Sequence, residues 1–437
     1  MYELSLYTYM FQRGTESYLY NAQSNFFGKV SPELIEILDK GTWYELDEET
    51  LKLLQKHHVI ELKGHLHDYF DLQQLKFASR NYNPTSMGLV IAPTTACNFD
   101  CPYCFEPKLS PKTMSGKIIA DLMKFIRSHP DAKEIRLTWY GGEPLLAFKQ
   151  IKEIYEEFKK DGLPAITHTT IVTNGSLINE EICDFFKEKK LDLMQITIDG
   201  TEESHDRTRC FKANGAGSFR TIYNNISIVR ERIPDCKIAI RVNINKNNKE
   251  EFVKLYKKIK EDFGDDKMIS VYPGIIREET SDGKNLMPSC ICYADMPELY
   301  AYFKSKGIDQ PLFPERKQRG CMIYSQNSHI IGPEGEIYKC WNDVTVPERV
   351  IGNISDGSLL NPTLLTEYMT ASTPYRGECR DCKVFPICDG GCGYYIHKNL
   401  FAGGEFKQCS ALKDPEVLAK ALLDGSLAKI TKVKEEA

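Results

Sequence analysis

Ile91-Ala92-Pro93-Thr94-Thr95-Ala96-Cys97-Asn98-Phe99-Asp100-Cys101-Pro102-Tyr103-Cys104 sets three cysteines at a C-x3-C-x2-C spacing, right after the apolar run Leu89-Val90-Ile91. The loop supplies three thiolates and no fourth. An iron–sulfur cube has four irons, so three thiolates leave one iron open to a small chelating molecule carrying an amine and a carboxylate. Closed structural zinc sites take four ligands, usually as two C-x2-C pairs, so the triplet suits zinc poorly. Three unrelated cysteines in a chain of 15 are the plainer alternative, and the tight spacing after a strand argues against it.

Outward from this loop, residues 88–275 alternate between two periodicities. Strand-like runs fall at Leu89–Ile91, Ile135–Trp139, Thr169–Val172, Met194–Ile198, Ile238–Val242 and Ile269–Tyr272. Helical stripes lie between them: Ile118, Ile119, Leu122, Phe125 and Ile126 after a Ser115 N-cap, and Ile151, Ile154, Tyr155 and Phe158 further on. Two more carry Ile182, Phe185 and Phe186 after Asn179, and Phe252, Tyr256 and Ile259 after Asn248. Six such β/α units predict an α/β fold with a parallel sheet and helices outside. Gly141-Gly142-Glu143-Pro144 follows the second strand. Two glycines let backbone approach a ligand closely, and a carboxylate there can pair with an ammonium.

A second set of cysteines lies downstream, as Cys321-x13-Gly335-x4-Cys340, then Cys379-x2-Cys382-x5-Cys388-x3-Cys392, then Cys409. C-x2-C is also a zinc hook, which keeps zinc as the competing chemistry. Cys183, Cys210 and Cys236 have no ligand spacing and read as core or surface thiols.

The triplet, with Tyr103 before its last cysteine, resembles the cluster loop of the radical S-adenosylmethionine (SAM) enzymes. The resemblance implies a partial (β/α)6, TIM-like barrel with its site at the strand C-terminal ends. It further implies that the open iron chelates SAM and that reductive cleavage yields a 5′-deoxyadenosyl radical, which takes hydrogen from a substrate. Carried over residue by residue, Cys97, Cys101 and Cys104 hold the cluster, and Gly141, Gly142 and Glu143 hold the SAM amine. Tyr103 lies beside the cofactor, Thr197 falls near the ribose and Arg209 near the carboxylate. Asn243 either reaches the ribose or caps its strand. Asp199 and His205 either join the site or organise the turn. No catalytic residue beyond the cluster ligands is implied.

The seven downstream cysteines match the SPASM extension of that family. By resemblance, Cys379, Cys382, Cys388 and Cys409 hold one auxiliary cluster, and Cys321, Cys340 and Cys392 another. Some relatives place an eighth cysteine where Asn327 stands here, so the second cluster either keeps an open iron or recruits Cys290 or Cys292. The implied cofactors are three 4Fe–4S clusters and SAM.

Near the N-terminus, Tyr2–Phe11 alternates like a strand, and Ser17–Tyr20 and Phe26–Val30 extend a small sheet. Ser31-Pro32 opens a helix that Gly41 ends. Asp47 caps a second, with Leu51, Leu54 and Val59 inward. This α+β pattern resembles the winged-helix-like peptide-recognition domain of peptide-modifying radical SAM enzymes. A packing or dimerisation module is the alternative. The expected organisation is 1–80 recognition, 85–278 barrel, 279–320 bridge, 321–415 SPASM and 416–437 C-terminal helix and tail.

With a net charge of −5 the chain has no broad basic field, which disfavours nucleic acid. No signal-like start or bilayer-length apolar run occurs, and clustered cysteines suit a reducing compartment, so a cytoplasmic enzyme away from membranes is expected. The leading expectation is a peptide maturase that abstracts hydrogen from a ribosomally made precursor and closes a C–C, C–O or thioether crosslink. The N-terminal domain would bind the leader, and a flavodoxin or ferredoxin would donate electrons. The alternative is an anaerobic sulfatase-maturating enzyme making formylglycine. Relatives with that activity place an aspartate directly after the second SPASM cysteine, whereas here Trp341-Asn342 precede Asp343. A third reading is an electron-transfer or scaffold protein without SAM chemistry.

Overall fold

The structure is a computed structural model, and it describes the chain except residues 105–109, 161, 293–294, 309–313, 315, 317–319, 372–376, 389 and 434–437; for 426–433 it describes backbone alone. The tail read at the C-terminus falls largely outside the described residues. The chain forms two compact units. One is Met1–Arg80, Ile291–Cys321 and Thr370–Ala437; the other is Asn81–Cys290 and Met322–Met369.

In the first unit, strands β2 (Thr8–Arg13), β3 (Glu16–Asn21) and β4 (Phe26–Val30) form an antiparallel sheet. Strand β1 (Tyr2–Leu4) pairs instead with β5 (Ile60–Leu62). The single strand expected over Tyr2–Phe11 is therefore two strands in different sheets. The break falls at Ser5, whose N–H donates to Val59 O and whose C=O accepts from Thr8 N, turning the chain before β2. Val59 lies beyond the second helix, which ends at Lys56, yet it is fully buried.

Both expected caps form. Ser31 Oγ accepts from Leu34 N at 3.2 Å and Asp47 Oδ1 accepts from Thr50 N at 2.7 Å, satisfying donors that the first helical turn leaves orphaned. The small sheet buries side chains on both faces. Leu19 packs with Leu38, Leu54, Val59 and Ile60. Tyr20 packs with Tyr7, Ala22 and Phe70 from the N-terminal stretch, and with Val384, Phe385, Ile387, Leu418 and Leu422 from the C-terminal stretch. A helix, Met296–Ser305, stands in the segment read as a bridge.

The second unit carries the expected barrel sheet. Strands β6 (Ser86–Ile91), β7 (Glu134–Trp139), β8 (Ala165–Thr173), β9 (Leu193–Thr197), β10 (Lys237–Ile244) and β11 (Ile269–Ile275) pair in sequence order, all parallel. Burial alternates along β7 and β8, where Ile135, Leu137, Trp139 and Ile171 are fully buried between less buried neighbours such as Arg136 and Thr170. Helices Gly116–Arg127, Phe148–Phe158, Glu180–Glu188, Phe219–Arg232 and Lys249–Phe263 link them.

Three further strands extend the same sheet past β6. Strand β12 (Ser328–Ile331) runs parallel beside it, and β13 (Glu336–Tyr338) and β14 (Gly352–Asn353) follow antiparallel. Ile330 and Ile331 are fully buried there. Met322–Met369 thus belongs to the barrel unit, and the residues from Thr370 onward to the other. Asn327, 5% exposed, donates to the carbonyls of Pro84 and Ser86 and pins this added strand to the start of β6. No helix among the described residues is long and apolar enough to cross a membrane.

Candidate active site

The cysteine loop leaves the C-terminal end of β6 and is fastened at several points. Thr94 Oγ1 donates to Lys112 O at 2.7 Å. Asn98 Nδ2 donates to Ser176 Oγ at 2.9 Å, and Asn98 Oδ1 accepts from Asn174 Nδ2 at 2.7 Å, tying the loop to the end of β8. Lys212 N donates to Asn98 O, and Phe99 packs edge-on against Phe211.

Gly141 and Gly142 pack directly under this loop. Their spacing from it leaves no room for a side chain: a Cβ at Gly141 would stand 2.3 Å from Thr94 O, and one at Gly142 2.3 Å from Ala96 O. Gly141 also has φ +118°, a conformation open to glycine. Gly142 N donates to Thr94 O, and Glu143 N to Ala96 O at 2.8 Å.

Glu143 is fully buried. Its Oε1 accepts from Leu145 N at 3.0 Å and Thr173 Oγ1 at 2.8 Å, and its Oε2 from Asn174 N at 2.7 Å. Burial raises its pKa, and these donors work against the rise. The carboxylate expected to face an ammonium is thus bonded to the protein on both oxygens, and it locks the ends of β7 and β8 together.

Across the sheet end lies a buried network around Asp199 and Arg209, 4% and 7% exposed. Tyr103 donates its hydroxyl proton to Asp199 Oδ2. Asn243 N donates to Asp199 Oδ1 at 3.0 Å, and Arg241 Nε to Asn243 Oδ1 at 2.8 Å. Arg209 Nη1 lies 3.0 Å from Tyr103 Oη and 3.6 Å from Cys101 Sγ, with the guanidinium 5.5 Å over the Phe99 ring. Arg209 Nε is buried without a partner among the described residues. Burial opposes the Arg209 charge, but Tyr103, Asp199 and Cys101 outweigh it and raise its pKa. Burial raises the pKa of Asp199, and Arg209 counteracts it.

His205 is buried behind this pair. Asp199 N donates to its Nδ1 at 3.1 Å, which leaves Nε2 protonated to donate to Ser218 Oγ at 2.9 Å. Ser218 Oγ in turn donates to Arg209 O at 2.6 Å. Burial, then Arg209, lowers the His205 pKa to about 3, so the ring is neutral and fixed in one tautomer. Thr197, 8% exposed, ends β9 opposite Arg241.

Cys97 and Cys101 are half-buried and Cys104 is exposed. Burial pushes Cys97 up to about 12 and Cys101 upward, with Arg209 opposing both. Neutral thiols must lose protons to bind iron, so loading is coupled to pH. Among the described residues no three His, Cys, Asp or Glu side chains converge on one metal ion. A cube takes each thiolate on a different iron and does not need them to meet at a point.

Four downstream cysteines come together. Cys379, Cys382, Cys388 and Cys409 line one pocket with Glu378, Val384, Phe385, Gly390, Gln408, Ser410 and Lys413. A four-thiol lining suits a cluster or a zinc ion by donor chemistry. Cys321 is exposed. Cys340 precedes the short helix Trp341–Asp343, and Cys392 N donates to Gln408 Oε1 at 3.1 Å. Cys290 Sγ accepts from Glu278 N at 3.2 Å and donates to Glu278 O, while Cys292 N donates to Asp295. Cys183 and Cys236 are core. Asp343 is fully buried and accepts from Tyr368 Oη at 2.7 Å.

Sequence reasoning missed Asn98, Thr173, Asn174, Ser176 and Ser218. The run Asn174-Gly175-Ser176 after the third barrel strand carries a turn signature that marks such a loop.

Known proteins resemble this chain in sequence and in fold. The family profile described as the Radical SAM superfamily matches residues 91–259. The cysteine-type anaerobic sulfatase-maturating enzyme of Clostridium novyi is 27% identical over 341 residues, spanning 70% of this chain and 88% of that protein. The structure of anSMEcpe with bound AdoMet superposes with a TM-score of 0.59 at 19% identity, covering 81% of this chain and 96% of that one. Streptococcus suis SuiB bound to precursor peptide SuiA gives 0.52 at 17% identity, covering 94% and 99%.

Proposed function

Because this chain belongs to the radical SAM superfamily, we propose that it matures a peptide or protein by oxidising one of its side chains, with formylglycine formation the reading its relatives favour. The observation that carries it is the buried Arg209 cation donating to Cys101 beside a glycine pair that fits only against the cysteine loop. The shared length with a sulfatase-maturating enzyme supports this substrate class. This reverses the order of preference drawn from the sequence, where crosslinking came first.

SAM bound at a three-thiolate cluster supplies a hydrogen-abstracting radical; binding, orientation and shielding are the protein's part. Cys97, Cys101 and Cys104 would hold the cluster. The orphaned Arg209 Nε is a donor awaiting an acceptor, which suits the SAM carboxylate. Thr197 and Asn243, at strand ends, are the candidates for the ribose. Glu143 acts through the loops it locks. The spacing of the downstream cysteines supports two auxiliary clusters, with one at the four-thiol pocket.

The test is anaerobic incubation of the reconstituted protein, SAM and reductant with a peptide copied from the modified segment of a sulfatase. A product that reacts with a hydrazide, as an aldehyde does, supports formylglycine formation. An unmodified peptide counts against it.

Crosslinking of a precursor peptide stays as the second reading. Supporting it is the N-terminal sheet-and-helix domain, present in a chain whose superposition on SuiB covers 94% of its length. A product lighter by two hydrogens and inert to hydrazide would favour it.

A further inference from the structure

The Tyr7 hydroxyl is buried without a hydrogen-bond partner among the described residues, in a side chain only 1% exposed. Protein interiors rarely strand a hydroxyl, so an orphan of this kind marks an acceptor that arrives later. Its surroundings identify that acceptor. Tyr7 shares one core with Val384, Phe385 and Ile387, and the Cys379, Cys382 and Cys388 side chains pack against the same core. Tyr69, Cys382, Asp71 and Asp381 bear electrostatically on Tyr7, in that order, and Cys382 bears on Tyr9 as well; of these, Cys382 is the group that metal loading would convert. A thiol is a weak acceptor, whereas a thiolate is a strong one, and metal loading makes that conversion.

We propose that Tyr7 is a positioning residue of the auxiliary site: its hydroxyl donates to the Cys382 sulfur once the four thiols hold iron, making the N-terminal segment part of the shell that sets that site's reduction potential. This rests on reading Cys379, Cys382, Cys388 and Cys409 as cluster ligands. Reduction adds negative charge, much of it felt at sulfur, so a donor there favours the reduced state and raises the potential. One hydroxyl of the adjoining sheet differs in this respect. Tyr20 sits in the same core, but its hydroxyl donates to Asn25 Oδ1 at 3.1 Å.

The experiment uses full-length protein with Cys97, Cys101 and Cys104 changed to alanine, so that only auxiliary signals remain. Iron content is counted, and the signal abolished by Cys382→Ala is followed by paramagnetic resonance through a reductive titration. Tyr7→Phe is expected to keep its iron and shift that potential negative, and Tyr20→Phe to leave it in place. An unmoved potential in Tyr7→Phe with full iron overturns the contact, as does an equal shift in Tyr20→Phe. Full iron content in a Cys379→Ala/Cys382→Ala variant overturns the cluster reading itself. Should Tyr7→Phe fail to fold, the wild-type hydroxyl is read directly: a hyperfine coupling that exchanges in D2O supports the contact, and its absence overturns it.

Discussion

Arg209 reaches Cys101 from inside the fold, with Nη1 3.6 Å from the sulfur and its side chain buried among Tyr103, Asp199 and Phe99. A buried cation is sustained only by matched partners, and here the partners include a residue of the cluster loop. Arg209→Ala leaves Asp199 buried without its cation, at a cost of about 3–5 kcal/mol. We expect at least a tenfold weaker SAM affinity, measured by equilibrium dialysis of reconstituted protein. Arg209→Lys does not restore it, because an ammonium lacks the planar fork that serves Tyr103 and Cys101 together.

Glu143 is predicted to act through structure. Its two oxygens accept three protein donors, two of them backbone N–H groups. Glu143→Gln turns an amide NH2 toward at least one of these donors and costs about 1–3 kcal/mol. Urea denaturation reads this as a lower midpoint with an unchanged slope. An unchanged midpoint would mean that the carboxylate is not locking β7 to β8.

Gly142→Ala is the sharpest steric test. The added methyl would stand 2.3 Å from Ala96 O and 2.6 Å from Thr95 O, both backbone atoms that cannot swing aside. Overpacking of this kind costs about 1–3 kcal/mol or more. The expected result is loss of iron from the Cys97–Cys104 loop on reconstitution, while the auxiliary signals persist.

His205 gives a pH signature. Its folded pKa, lowered to about 3, lies below the unfolded value of about 6.5, so the unfolded chain takes the proton first as pH falls. The contribution is intact above about 6.5 and is lost progressively toward about 3. His205→Asn keeps an acceptor for Asp199 N and cannot gain a proton. Its stability therefore falls less steeply than the wild type's over that window in denaturant titrations at stepped pH. Glu143 and Asp199, whose raised values give the opposite slope, are common to both proteins and cancel in the difference. Parallel curves would show that His205 titrates normally.

The barrel was legible because its strands are short apolar runs between amphipathic helices, a pattern that survives at the level of single residues. Leu89–Ile91 and Ile269–Tyr272 sit inside β6 and β11, which the structure extends by Ser86, Met87 and Gly88 at the start of one and by Pro273, Gly274 and Ile275 at the end of the other. The N-terminal break was hidden because Tyr2–Phe11 contains no Gly or Pro to mark a turn, and only the long-range bonds of Ser5 and Thr8 to Val59 split it. Strand β12 was hidden for a related reason. Ser328–Ile331 is four residues long, and its partner β6 lies more than two hundred residues earlier.

At the site, the cysteines and Gly141–Glu143 were visible through spacing. What each does locally was not: Glu143 carries the residue type of an ammonium partner, yet its oxygens are taken by Thr173 and backbone that no motif announces. Arg209 and Tyr103 could be named from resemblance, but their meeting with Asp199 depends on how three strand ends converge.

Reductive cleavage of SAM at the Cys97, Cys101 and Cys104 loop is the step on which every other role depends. Anaerobically reconstituted protein, given SAM and a strong reductant, is assayed for 5′-deoxyadenosine by liquid chromatography. The wild type is expected to form it, and the protein in which those three cysteines are alanine is expected to form none. Equal formation by both proteins would contradict this.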